Sequence, residues 1–427
     1  MTKKIAVLSD RIYASYNEDF VLNLRKELNY VFPGPNPKND QPIRYYDVIK
    51  IKDILSIPIG RIDLIPDDYE IIDKRIEIPK DYGNFKYELR PNQQDLCNII
   101  ADSCVVKAHT GYGKSVLGIY LAKKFKQKTL IITHTTLLRD QWINEIRKIA
   151  DRKAGIIGSG KFDIEPNIVV GNIQTLRNRI TEIRKQFGLI IVDECHRQPA
   201  KTFSYTVNRL NSRYKIGLSA TIGRKDERTP LIFDYLGNKL YTTKDVHKVI
   251  PEIFLVDTNI DFSASFNIPW ADRVTNLTRD PEYIVKVVSL VKAQQERGYK
   301  ILVLADRTEF IEKCQSLTDR SLCIQGSTKE RETLLNRISG DIDCIYGTTA
   351  IFKEGFNQPR LDCLIIATPI NNKYLLEQIV GRVLRPHKEK KKPQIFDFIL
   401  KGNTGYNQLN TRIAFYKSQN YQIWKIS

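Results

Sequence analysis

Two stretches of the chain carry residue types and spacings that could do chemistry. The first is Ala108-His109-Thr110-Gly111-Tyr112-Gly113-Lys114-Ser115. It follows a short apolar run, Val105-Val106, and opens a helical pattern over Ser115 to Phe125. Glycines let backbone N–H groups face phosphate oxygens, and a helix N-terminus adds partial positive charge there. Thr110, Gly111 and Gly113 would form the cradle, Lys114 would reach the β- and γ-phosphates, and the Ser115 hydroxyl would ligate Mg²⁺. The generic pattern has glycine where this chain has Ala108, but the Thr-Gly-x-Gly-Lys-Ser core is intact. The second stretch is Ile190-Ile191-Val192-Asp193-Glu194-Cys195-His196. An apolar strand here delivers two adjacent carboxylates at its C-terminal end, the edge of a parallel sheet where ligands bind. Asp193 suits the metal, and Glu194 suits orienting and deprotonating an attacking water. Taken singly, each stretch also reads as an ordinary helix cap. Together they point to hydrolysis of a nucleoside triphosphate, with ATP and Mg²⁺ as ligands.

Such loops need a parallel sheet behind them. From about Tyr87 the chain alternates buried-strand candidates (Val105-Val106, Thr129 to Thr133, Ile168 to Val170, Leu189 to Val192) with helical stretches such as Leu137 to Ala150. This is the βαβ signature. The alternation restarts after about His247. Strands are expected at Ile301 to Leu304, Leu322 to Gln325, Cys344 to Tyr346, Cys363 to Ala367 and Gln394 to Phe398, with helices such as Tyr283 to Gln295 and Arg331 to Arg337 between them. The first ~85 residues differ. A helix is expected over Glu18 to Leu28 and a loop over Phe32 to Pro42. Short β-leaning runs follow at Tyr45 to Ile51, Ile62 to Ile65 and Ile71 to Ile78, and a linker over Pro79 to Asn84. The fold class is therefore α/β: a small N-terminal α+β domain (1–85) followed by two parallel-sheet domains (86–248 and 249–427).

Composition bounds the rest. The 427 residues include 67 Lys and Arg against 49 Asp and Glu, a formal net charge of +18, with 42% hydrophobic residues. That excludes a disordered or collagen-like chain. No apolar run approaches the ~20 residues of a membrane helix. Seven cysteines without a Cys-x-x-Cys, and five histidines, argue against a disulfide framework or zinc site and for a reducing compartment. The four apolar residues after Lys4 are too short a run for a signal peptide, so the expected place is the cytoplasm, that of the host if the source is a phage. The positive charge suggests a polyanionic partner, nucleic acid first.

Two more motifs complete an order. Leu218-Ser219-Ala220-Thr221 follows the acidic strand, and Gln378-Ile379-Val380-Gly381-Arg382-Val383-Leu384-Arg385 lies in the later α/β domain. With the phosphate loop and Asp193-Glu194-Cys195-His196, these resemble the ordered motifs of superfamily 2 helicases, over roughly Tyr87 to Arg385. Asp-Glu-Cys-His and Gln-x-x-Gly-Arg-x-x-Arg look more like the XPB, RecG and UvsW group than the DEAD-box RNA helicases. The short length and small N-terminal module are most similar to UvsW-type phage branch-migration helicases.

The resemblance implies two RecA-like domains of the P-loop NTPase fold. It implies adenine recognition by Arg90 and Gln93, nucleotide contacts from Gly355 and Gln378, and arginine fingers at Arg382 and Arg385. His196, Ser219 and Thr221 would couple the nucleotide to strand movement. Thr135, Arg139, Gln174, Thr175, Arg307 and Thr348 would hold nucleic-acid phosphates rather than bases. Asn357 stands where the family often has Asp. The implied partner is DNA, forked, branched or partly single-stranded, with the chain acting as a monomer and no membrane involved. The N-terminal module would bind duplex or branched DNA, or else be a protein-docking or packing domain. RNA remodelling, a motor subunit of a nuclease or restriction system, and non-hydrolysing nucleic-acid binding are the competing readings. The run His387 to Lys392 reads as a solvated loop, Phe266 to Trp270 as packing aromatics, and Trp142 as a core residue of its helix.

Overall fold

The computed structural model describes residues 3–34, 40–109, 111–197, 201–223, 227–243, 249–262, 268–325, 328, 338, 340–349, 358–385 and 387–426. The chain divides into two compact units, Met1–Lys244 and Asp245–Ser427.

The first unit opens with β1 (Ile5–Leu8), β2 (Ile12–Ser15), α1 (Glu18–Glu27), β3 (Asn29–Phe32), β4 (Ile43–Tyr46), β5 (Ile49–Ile51), β6 (Ile54–Ile57), a 3₁₀ turn (Ile59–Leu64) and β7 (Glu70–Asp73). One sheet has the order β5-β6-β2-β1-β7, and β3 and β4 form a separate hairpin. α1 starts where Asn17 caps it, its side chain accepting the Phe20 N–H. The run Ile62 to Ile65, expected as β-leaning, instead ends the 3₁₀ turn, which Pro58 precedes. Its apolar residues are there to plug the core, since Ile59, Leu64 and Ile65 are buried with Leu55 and Ile57.

The module packs on the helix that follows the Ser219-Ala220-Thr221 motif, Pro230–Leu236. The Tyr30 hydroxyl donates to Asp234 at 3.2 Å, and the Tyr45 and Tyr235 hydroxyls lie 2.5 Å apart. Arg61 pairs with Asp234 at 3.4 Å, and a Cβ on Gly60 would sit 2.1 Å from the Phe233 carbonyl oxygen. The stretch expected as a linker, Pro79 to Asn84, is packed down. Tyr82 is 1% exposed, and its hydroxyl donates to the Gln127 carbonyl at 2.7 Å.

The remainder of this unit is α2 (Pro91–Ile99), β8 (Cys104–Lys107), α3 (Lys114–Phe125), β9 (Thr129–Thr133), α4 (Thr136–Ala150), β10 (Gly155–Gly158), β11 (Lys161–Phe162), β12 (Ile168–Asn172), α5 (Ile173–Asn178), α6 (Ile180–Ile183), β13 (Leu189–Asp193), α7 (Lys201–Val207), β14 (Tyr214–Ser219), α8 (Pro230–Leu236) and β15 (Leu240–Thr242). The sheet order is β11-β10-β12-β9-β13-β14-β8-β15. Every pairing is parallel except β10 with β11. Alternate residues of each central strand feed two cores. Val106, Ile131, Val170, Ile191 and Leu218 face one, and Val105, Leu130, Val169 and Ile190 face the other. Both faces are therefore covered, as a parallel sheet requires.

The second unit contains β16 (Glu252–Asp261), α9 (Trp270–Arg279), α10 (Pro281–Glu296), β17 (Ile301–Ala305), α11 (Thr308–Ser316), β18 (Ser321–Ile324), β19 (Cys344–Thr348), β20 (Cys363–Ile366), α12 (Lys373–Val383), β21 (Gln394–Lys401), α13 (Asn403–Ser418) and β22 (Gln422–Ile426). Its sheet has the order β18-β19-β17-β20-β21-β16-β22, all parallel, again between two cores. A buried pair pins α13 to β21: Arg412 Nε lies 2.7 Å from Asp397 Oδ2, which also accepts the Tyr416 hydroxyl at 3.0 Å. The expected helix Arg331 to Arg337 lies outside the described residues.

Candidate nucleotide site

The C-terminal ends of β8, β13 and β14 assemble the site. β8 runs into the phosphate loop, and the Ala108 N–H donates to the Ser219 carbonyl at 2.9 Å, tying the loop to the end of β14. Gly111 and Gly113 both have φ of +90°, a conformation that side chains other than glycine's avoid. Gly113 precedes α3, which presents Lys114 and Ser115 in its first turn. A Cβ on Gly113 would lie 2.5 Å from Gln93 Nε2, so a side chain there would displace the Gln93 amide. Gln93 Nε2 donates to the Tyr112 carbonyl at 2.6 Å, and Arg90 donates to the same oxygen. The Tyr112 hydroxyl returns a bond to the Asn92 carbonyl at 2.9 Å. The expected adenine-recognition pair therefore braces the phosphate loop from α2. Thr110 lies outside the described residues.

The acids sit at the end of β13. Asp193 is 6% exposed. Its Oδ1 accepts the Glu194 N–H at 3.0 Å, and its Oδ2 accepts the Trp142 indole N–H at 2.9 Å. Glu194 adopts φ of +50°. A non-glycine residue held in that region stores strain of a kind that concentrates at functional sites. Its carboxylate faces Lys114 Nζ at 3.6 Å and His196 Nδ1 at 3.3 Å. His196 Nδ1 also lies 2.9 Å from Ser219 Oγ, and Ser219 Oγ accepts the Thr221 N–H at 3.1 Å. Lys114, Glu194, His196, Ser219 and Thr221 thus form one unbroken polar chain.

Burial first, and then the neighbouring Glu194 charge, push Asp193 above the usual carboxylate range. Burial alone would raise Glu194 too, but the Lys114 charge and the His196 hydrogen bond outweigh it and hold Glu194 well below the carboxylate range. His134, just beyond β9, is driven down to about 4, mainly by burial and then by Arg197. Both its ring nitrogens are buried without a hydrogen-bond partner among the described residues. Sequence reasoning passed over His134, and read Trp142 only as core. A buried indole N–H demands an acceptor, so a partner was foreseeable there, but not its identity.

Among the described residues no group of three or more His, Cys, Asp or Glu could hold a metal. Ser115 and Asp193 offer two oxygen donors beside a phosphate cradle. That set suits Mg²⁺, which keeps several waters and takes its other ligands from substrate phosphates.

The expected strand-contacting residues of the first unit cluster at the ends of the adjacent strands β9 and β12. Thr135 caps α4, accepting the Leu138 N–H at 3.2 Å. Gln174 is exposed and Thr175 half-buried on α5. Arg139 is 6% exposed, and its guanidinium donates to Asp140 at 2.7 Å, Ser159 at 2.9 Å and Asn172 at 3.0 Å. It fastens α4 to the ends of β10 and β12, with its donors engaged inside the protein. In the second unit Gln378 and Arg382 lie one turn apart on α12, half-buried, and Arg385 follows the helix. Thr348 ends β19 half-buried, and Gly355 and Phe266 lie outside the described residues. Arg307 binds Thr275 Oγ1 at 3.0 Å and the Ala271 carbonyl at 2.6 Å, stapling α9. Trp270 packs edge-on to Phe262 at 5.3 Å. The basic run expected as a solvated loop is partly structural. Lys390 is only half exposed, and its ammonium donates to the Arg385 carbonyl at 2.8 Å and the Pro359 carbonyl at 3.3 Å.

Comparison with known proteins agrees with this geometry. Residues 86–224 match the family described as type III restriction enzyme, res subunit, and residues 280–387 match the helicase conserved C-terminal domain. The chain is 35% identical over 430 residues to the probable helicase D10 of Escherichia phage T5, covering 97% of this chain and 95% of that one. It is 29% identical to a putative ATP-dependent RNA helicase, L396, of Acanthamoeba polyphaga mimivirus, covering 82% of this chain and 71% of that one. It is 24% identical to the DNA 3'-5' translocase XPB2 of Sulfurisphaera tokodaii, covering 71% and 79%. With its two RecA-like parallel-sheet units and its ordered motifs, the chain belongs to the superfamily 2 ATP-dependent helicases.

Proposed function

We propose that this helicase is a DNA motor that unwinds or branch-migrates forked and junction DNA, acting as a monomer in the cytoplasm. The observation that carries the motor reading is the polar chain from Lys114 through Glu194 and His196 to Ser219 and Thr221. It links the residue that would touch the γ-phosphate to the segment preceding α8. A change at the phosphates is then felt where β14 ends, which is how differential contacts with a nucleotide can drive a conformational change.

The chain's own residues divide the work. The loop glycines and Lys114 hold the phosphates, and Arg90 and Gln93 fix the base side while bracing the loop. Glu194 orients the attacking water and accepts its proton. Ser115 and Asp193 would hold Mg²⁺, which would offset negative charge on the phosphates. Arg382 and Arg385 would stabilise charge on the transferring phosphoryl group, with Gln378 and Gly355 on the same nucleotide.

Thr135, Gln174, Thr175 and Thr348 supply hydroxyl and amide groups for phosphates, so binding should be sequence-independent and weaken with salt. Arg139 and Arg307 would act there by positioning α4 and α9. The net charge of +18 suits a nucleic acid of either kind, and DNA is favoured by the likeness to a protein named as a DNA translocase. The RNA reading is favoured by the relative named as an RNA helicase. One experiment separates them: ATP hydrolysis and strand separation measured on single-stranded DNA, duplex, fork, four-way junction and RNA. Stimulation by forks and junctions with strand separation supports the proposal. Stimulation by RNA alone overturns it. DNA-stimulated hydrolysis with duplex tracking but no strand separation favours a restriction-type motor, in keeping with the res-subunit match.

A further inference from the structure

Trp142 lies on α4, outside every stretch that carries the motifs of nucleotide chemistry, and is 2% exposed. Its indole N–H donates to Asp193 Oδ2 at 2.9 Å. The other carboxylate oxygen, Oδ1, accepts the Glu194 N–H at 3.0 Å. A carboxylate oxygen has two lone-pair sites. Each oxygen therefore keeps one for the metal or a water bound to it, while the plane of the carboxylate is fixed from both sides. The far edge of the same ring meets the helix of the phosphate loop. A Cβ on Gly118 of α3 would stand 2.8 Å from Trp142 Cη2, so the glycine is the space in which the ring lies. One rigid side chain thus gauges the separation between the helix that presents Lys114 and Ser115 and the carboxylate at the end of β13.

We propose that Trp142 is a positioning residue for the metal: its indole N–H aims Asp193 and its ring sets α3 against β13, so that the two oxygen donors, Ser115 and Asp193, lie at the spacing Mg²⁺ needs. The inference rests on the assignment of Asp193 to the metal. It goes beyond a packing role, because a packing residue would not change how much metal the site requires.

The test is equilibrium binding of ADP as a function of Mg²⁺, with no turnover involved, in wild type, Trp142→Phe and Asp193→Asn. Removing a group that hydrogen-bonds a metal-ligating carboxylate costs about 10–100-fold in metal affinity. In Trp142→Phe the Mg²⁺ concentration for half-maximal ADP binding should therefore rise about 10-fold, a larger change than any in metal-free ADP affinity. If Asp193→Asn raises the requirement and Trp142→Phe does not, the inference is overturned and the metal assignment stands. If Asp193→Asn leaves it unchanged, the metal assignment itself fails. Should Trp142→Phe melt too low to assay, wild type decides by indole ¹⁵N–¹H spectroscopy. Trp270 and Trp424 are 39% and 52% exposed, so Trp142 gives the indole signal protected from a soluble paramagnet. That signal should move with ADP and Mg²⁺ together and not with ADP alone. A signal that ignores the metal overturns the proposal.

Discussion

Glu194→Gln tests the site by changing one atom type. In the structure Lys114 Nζ stands 3.6 Å from Glu194 Oε1, with the two side chains 16% and 20% exposed. At an effective dielectric constant of about 20, unit charges at that spacing attract by roughly 4–5 kcal/mol before desolvation is set against it. ATP must draw Lys114 away from this partner onto the phosphates. The amide of glutamine carries no net charge, so most of that opposition disappears, and a net gain of about 1–2 kcal/mol corresponds to roughly 5–30-fold tighter ATP binding. The same substitution removes the group that accepts the proton of the attacking water, a contribution of about 10²–10⁴ in rate. The variant should therefore bind ATP more tightly and hydrolyse it at least ~100-fold more slowly. Titration with a fluorescent ATP analogue gives the first quantity, and single-turnover hydrolysis gives the second. A variant that hydrolyses ATP within tenfold of wild type, or binds it more weakly, would refute the reasoning.

Three further outcomes follow from packing and charge. Lys215 is 2% exposed, its ammonium donates to the Val207 carbonyl at 2.9 Å, and burial drives it down to about 7. Because its folded value lies below its unfolded one, wild type loses stability as pH falls from about 10 toward 7. Lys215→Met should thus melt higher at pH 7, by about 2–4 kcal/mol of stability, with the gain shrinking toward pH 10; a constant difference across that range would contradict it. Asp397→Asn leaves Arg412, 2% exposed, as a buried cation without its partner. It should cost about 3–5 kcal/mol in denaturant unfolding of the second unit, and a loss below ~1 kcal/mol would mean the pair is not buried as described. Gly60→Ala forces a Cβ to 2.1 Å from the Phe233 carbonyl oxygen and should loosen the N-terminal module from α8. Overpacking of this kind costs about 1–3 kcal/mol, and proteolysis within residues 1–85 should quicken while ATP binding persists; unchanged proteolysis would count against that packing.

What could be read from the sequence was what is local. The phosphate loop is written in consecutive residues, because the turn, the helix start and the lysine all lie within Gly111 to Ser115. Asp193 and Glu194 are legible because they end an apolar strand downstream of a phosphate loop, at the sheet edge where ligands bind. The partners of these residues were not legible. Trp142 and Asp193 are brought together by the packing of α4 on the sheet, which no periodicity encodes. Arg139 reads as a cation for phosphates, but Asp140, Ser159 and Asn172 claim its guanidinium once β10 and β12 pair. Tyr82 sits among Pro, Asp and Gly, the composition of a free tether, yet its ring finds the core and its hydroxyl finds Gln127. Ile62 to Ile65 has the residue types of a strand, and tertiary packing after Pro58 made it a 3₁₀ turn instead.

The central claim is that Lys114 grips the phosphates of an ATP whose hydrolysis powers movement on nucleic acid. It is tested most directly by the ATP hydrolysis rate of Lys114→Ala at saturating forked DNA, in protein whose melting matches wild type. The account predicts a fall of at least ~100-fold, with DNA binding preserved. A rate within tenfold of wild type would contradict it.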